Sequence, residues 1–83
     1  MNNFQITPVI IYILQFINTE QKKVDNKFID FPLIDNEYLV NAMVHLLGKL
    51  ADEKLIYMRY YHGVKPSVAL TDTGKQILNN YTK

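Results

Sequence analysis

Cysteine is absent from the 83 residues, which excludes disulfides and thiolate metal sites and leaves no redox compartment to be read. Ser67 is the only serine, and no glycine-rich phosphate loop exists, so the common motifs for nucleophilic and nucleotide chemistry are missing. The two histidines, His45 and His62, fall on different predicted elements with no carboxylate at liganding spacing, and neither a metal site nor a general base is indicated. The longest apolar run, Val9 to Leu14, is six residues, far short of the roughly 20 that cross a bilayer. Met1-Asn2-Asn3-Phe4 lacks the basic start of a signal peptide. These absences set the expectation of a cytoplasmic, non-catalytic protein with no cofactor, no metal and no membrane partner.

What is present is ordinary globular material. Hydrophobic residues make up 48% of the chain, enough to bury a core and to argue against disorder. One domain, 1–83, is expected, with a thin stability margin for its size. The net charge is only +1, but it is unevenly spread: residues 1–53 hold four lysines against seven acids, and residues 54–83 hold five cations against Asp72 alone. The C-terminal part is therefore the electropositive part of the molecule.

Thr7-Pro8 predicts a helix start, with Thr7 as N-cap and Pro8 at the first helical position, where its missing N–H does no harm. Ile10, Ile13, Leu14 and Ile17 form a core stripe at helical spacing, and the helix is expected to end at Ile17 or Asn18. Val9, Ile11, Tyr12 and Phe16 are apolar too, so the hydrophobic surface wraps beyond one face. That excess predicts a homodimer or protein-partner contact through this helix. Asn18 to Asp30 reads as an exposed polar connection. Phe28, Ile29, Phe31, Leu33 and Ile34 then suit either a short second helix or an extended segment pinned by Pro32.

Asp35 or Asn36 is expected to cap the strongest helix, with Glu37 in its first turn complementing the dipole. Leu39, Met43, Leu46 and Leu50 mark its core face, widened by Val40, Leu47 and Ala51; Asn41, His45, Gly48, Lys49 and Asp52 mark the opposite face. Gly48 costs about 1 kcal/mol relative to alanine in a helix interior, which suggests close approach of a neighbouring helix or a phosphate backbone. Leu55 to Tyr61 is rich in β-formers, His62-Gly63-Val64-Lys65-Pro66 supplies turn chemistry, and Ser67 to Leu70 is the return strand. Thr71 or Thr73 caps a final helix attached to the core by Ile77, Leu78 and Tyr81.

Two stretches carry a resemblance. Leu46-Leu47-Gly48-Lys49-Leu50-Ala51-Asp52-Glu53-Lys54-Leu55-Ile56 is similar to the end of a recognition helix, and Leu70-Thr71-Asp72-Thr73-Gly74-Lys75 to an L-T-x-x-G turn that follows a wing. With the first helix, they make most of the chain resemble the winged helix-turn-helix superfamily, in particular small YjcQ-like and MarR/PadR-like proteins. The resemblance implies an α+β fold of about three to four helices with a C-terminal two-stranded wing. The chain departs from the pattern in its obscure second helix and in an acidic rather than basic start to the recognition helix.

The resemblance also implies DNA binding, with the long helix in the major groove and the wing on phosphates. Asn41 has the side chain for a bidentate pair with adenine, and His45 and Lys49 can reach guanine or phosphate. In the wing, Arg59, Tyr61, His62 and Lys65, with Tyr57 and Tyr60, mix rings and cations, a composition that also suits single strands. Alternation predicts Tyr57, Arg59 and Tyr61 on one strand face and Met58 and Tyr60 on the other. A transcription regulator and a replication or maintenance accessory of a mobile element both fit, on duplex or single-stranded DNA. The competing expectation is a protein-interaction module that binds no nucleic acid.

Overall fold

The computed structural model describes residues 5–32, 36–60 and 65–81. Along the chain these form α1 (Pro8–Lys23), β1 (Ile29–Asp30), α2 (Glu37–Asp52), β2 (Ile56–Arg59), β3 (Ser67–Leu70) and α3 (Asp72–Tyr81). The fold is α+β, with three helices and one antiparallel three-stranded sheet in the order β1-β3-β2 among the described residues.

α1 starts as its sequence predicts: the Thr7 hydroxyl accepts from the Ile10 amide at 3.3 Å, with Pro8 in the first turn. It does not stop at Ile17 or Asn18. It continues to Lys23, so nearly half of the expected polar connection is helical. Polarity alone was a poor stop signal there, because glutamine and lysine are good helix formers. Lys22 and Lys23 also favour the negative end of the helix dipole. The helix is held at that end by Gln21, a buried polar residue with full satisfaction. Its side-chain nitrogen donates to the Asn26 and Lys27 carbonyls, both at 3.2 Å, and its oxygen accepts from the Leu70 amide at 2.8 Å. The chain then reverses through Asp25 and Asn26 in left-handed conformations (φ 61° and 62°), a region that short polar side chains tolerate best after glycine.

The last two residues of the expected connection are strand. β1 pairs with β3 through Ile29 with Val68 and Asp30 with Ser67, and the Phe31 amide continues the ladder by donating to the Pro66 carbonyl at 2.8 Å. Between α1 and α2 no second helix exists among the described residues; Leu33, Ile34 and the alternative cap Asp35 lie outside them. Asn36 is the N-cap of α2, its side chain accepting from the Tyr38 and Leu39 amides.

β2 and β3 pair with Ile56 opposite Leu70, Tyr57 opposite Ala69, Met58 opposite Val68 and Arg59 opposite Ser67. The inner face of the sheet, Ile29, Ile56, Val68 and Leu70, packs with Ile10, Ile13, Leu14 and Ile17 of α1, Leu47 and Leu50 of α2, Leu55, Phe31 and Leu78. Full burial of each such side chain contributes about 1.5–3 kcal/mol. Tyr81, expected to help attach α3, is exposed; Leu78 and, partly, Ile77 do so.

The L-T-x-x-G stretch is a structural lock. Lys54 takes a left-handed conformation (φ 66°) to end α2. The Thr71 hydroxyl donates to the Lys54 carbonyl at 2.6 Å and accepts from the Gly74 amide at 3.0 Å, so Thr71, not Thr73, caps α3. The Thr71 amide donates to the Leu55 carbonyl at 3.1 Å. A Cβ on Gly74 would stand 2.1 Å from that same carbonyl oxygen, which explains why glycine is needed here. Gly74→Ala should destabilise the fold by about 1–3 kcal/mol, the usual cost of overpacking. Urea unfolding checks this, and an unchanged midpoint would dissolve the lock.

Candidate nucleic-acid interface

α2 is covered unevenly along its length. Leu47 and Leu50 in its C-terminal half lie in the core, and Met43, Leu46 and Ala51 pack against it. Towards its start Val40, Met43 and Val44 are only partly buried, Tyr38 is 84% and Leu39 50% exposed, and Asn41, Ala42 and His45 are exposed as well. The expectation of Leu39 as a core residue is therefore overturned. The stripe has the right period, but the body of the protein does not reach that far along the helix.

The α2 side chains expected on one face are exposed. Asn41, His45 and Lys49 are exposed at helical spacing on one side, with exposed Asp52 at the end of the helix. Gly48, partly buried, meets nothing within 4 Å of where a Cβ would lie. Among the described residues no neighbouring helix makes the expected close approach.

In the hairpin, alternation holds for the residues that can be placed. Tyr57 and Arg59 are exposed on the outer face, Met58 packs inward, and Tyr60 is exposed just past the end of β2. Lys65 is exposed where the chain returns, ahead of buried Pro66. Tyr61 and His62 lie outside the described residues.

The sequence reading missed Phe28. The Arg59 guanidinium carbon sits 4.0 Å from the centroid of the Phe28 ring, a cation–π contact, and the Phe28 and Tyr57 rings are 6.4 Å apart at a 37° tilt. Continuing the β1–β3 register by one residue sets Phe28 beside Ala69, and Ala69 is the partner of Tyr57. The ring thus reaches the β2 side chains across a central-strand position that carries only a methyl. No local signal reveals this, because it depends on β1 lying two strands away from β2.

The partner-contact residues of α1 divide. Tyr12 is 70% exposed and Val9 is also exposed. Ile11 and Phe16 are partly buried against the core, with Phe16 edge-on to Phe31 at 5.4 Å between centroids. Tyr12 lies between two shallow hollows, one shared with Phe16 and Thr19, the other with Ile6, Ile11 and Tyr81.

No grouping of three or more histidine, aspartate or glutamate side chains among the described residues is placed to hold a metal. No helix among them is long and apolar enough to cross a membrane. No family model, curated protein or solved structure matches the chain.

With open space at Gly48, Gly48→Ala should stabilise the isolated protein by about 1 kcal/mol through helix propensity alone. Thermal unfolding measures the change, and a lower melting temperature would mean that this helix face is packed after all.

Proposed function

We propose that the chain is a winged-helix DNA-binding protein, without catalytic activity, that inserts the free end of α2 into the duplex major groove. It would serve as a regulator or as a replication or maintenance accessory of a mobile element. The observation that carries this reading is the exposed side of α2, from Tyr38 and Leu39 through Asn41 and Ala42 to His45, on a helix that leads directly to the β2–β3 hairpin. A groove-reading helix must project from the body that holds it, since the major groove is about 12 Å wide and admits a helix but not the domain behind it. The locked turn at Lys54 and Leu55 fixes the hairpin at the base of that helix, in the place of a wing. The helix–strand–helix–hairpin order and the β1-β3-β2 sheet support the same reading.

In this arrangement Asn41 and His45 face base edges, while Lys49 near the helix end and Lys65 on the hairpin hold phosphates. The overall charge of +1 makes binding dependent on these few cations rather than on a broad field. Fluorescence-anisotropy titration with labelled duplex and single-stranded DNA of random sequence, at low and moderate salt, tests the proposal. Salt-sensitive binding is expected. Lys49→Ala combined with Lys65→Ala should flatten the dependence of log K on log salt by about two phosphate contacts; an unaltered slope would remove both lysines from the interface.

A second reading, a protein-interaction module, is favoured by α1. From Gln5 to Thr19 the chain carries no charge, and Val9 and Tyr12 present apolar surface to solvent. Such a face suits a second copy or a protein partner, and it is compatible with DNA binding by a dimer. Tyr12→Glu should give a folded monomer where the parent protein is a dimer, as read by sedimentation and circular dichroism. A monomeric parent would leave the face to a different partner, and an unfolded variant would place Tyr12 in the core.

A further inference from the structure

The outer face of the sheet carries a feature that duplex reading by α2 does not use. Tyr57, Arg59 and Phe28 converge there from β2 and from the residue before β1. Tyr57 is 58% exposed, and Arg59 is exposed although its guanidinium lies on the Phe28 ring. An exposed arginine is ordinarily flexible; a ring beneath it limits its orientations in advance of any ligand. No ion pair to Arg59 occurs among the described residues. The one acid on the same face, Asp30, accepts from the Ser67 hydroxyl at 2.9 Å, with β3 between it and Arg59.

We infer that this face is a stacking site for an unpaired nucleobase, formed by Tyr57, Arg59 and Phe28, and that the protein favours DNA with a single-stranded segment beside the duplex. Tyr57 and Arg59, two apart on β2, project from the same face, and the Phe28 ring that carries the guanidinium lies 6.4 Å from the Tyr57 ring. A base laid on the exposed Tyr57 ring therefore has a second flat group, the held guanidinium, close beside it. Aromatic rings and guanidinium planes are the groups on which splayed bases stack. The charge on Arg59 also serves the adjoining phosphate. A paired base cannot use this site, because its faces are already covered by its neighbours in the duplex. Phe28 acts as a positioning residue: it holds the guanidinium and flanks Tyr57 across the small side chain of Ala69.

The inference rests on the DNA-binding reading, and the test separates the two. Affinities are measured by anisotropy for a blunt duplex, the same duplex with a twelve-nucleotide thymidine tail, and the tail strand alone. The parent protein should bind the tailed duplex at least about fivefold more tightly than the blunt one, the lower end of what stacking one base contributes. Tyr57→Leu and Phe28→Leu should each erase that increment while leaving blunt-duplex affinity and circular dichroism unchanged. Arg59→Lys should also lose it while keeping the slope against salt, because lysine retains the charge but not the plane. A parent protein indifferent to the tail, or an increment that survives Tyr57→Leu, would overturn the stacking site and leave duplex binding intact. Failure to bind any of the three DNAs at low salt would overturn both.

Discussion

The architecture hangs on the meeting of Lys54, Leu55, Thr71 and Gly74. Within these residues one helix ends, a strand begins, another strand ends and a second helix begins, and the polar groups exposed by those four terminations satisfy one another. The Thr71 hydroxyl bridges the Lys54 carbonyl and the Gly74 amide, and the Leu55 carbonyl takes the Thr71 amide. An unsatisfied buried backbone group costs about 1–3 kcal/mol, so dividing these partners differently would be expensive. The absence of a side chain at Gly74 lets α3 start against the backbone of Leu55. Because α2 and the hairpin both leave this junction, the angle between the helix and the hairpin is set here.

Gln21 performs a matching task at the same end of β3. A helix end, a tight reversal and the last residue of β3 are joined by one amide side chain that uses both its nitrogen and its oxygen. Together the two junctions clamp β3 at the centre of the sheet, leaving a small hydrophobic core to fill the space beneath. No buried side-chain nitrogen or oxygen among the described residues lacks a partner. That completeness matters in a domain of this size, where the net stability is a small difference between large terms.

Local signals in the chain were reliable where the physics is local. The Thr7-Pro8 start, the Ile10-Ile13-Leu14-Ile17 stripe, the Ser67 to Leu70 strand and a threonine cap before Gly74 were all legible, because caps and periodicity depend on neighbours a few residues away. The misreadings share a different cause. The end of α1 is held by Gln21 bonding to Asn26, Lys27 and, far along the chain, Leu70, and β1 exists only because β3 lies alongside it. Leu39 repeats with the core period but lies beyond the reach of the core. For the candidate site, the exposed face of α2 was readable from spacing. The Phe28–Arg59 contact was not, since it spans the width of the sheet.

The central position of β3 also bears on how the protein is made. β1 and β2 have no hydrogen bonds to each other, and both wait for a strand that ends at Leu70. During synthesis α1, β1, α2 and β2 must emerge before any ladder can close, and the Gln21 oxygen must stay unpaired until the Leu70 amide, 49 residues later, arrives. Contacts that distant in sequence slow folding, since the entropy of closing the intervening chain is lost before any contact is gained. A nascent chain stalled before Ser67 would therefore present unpaired strand edges and an open apolar α1, making the emergence of β3 the step that separates an aggregation-prone intermediate from a folded domain.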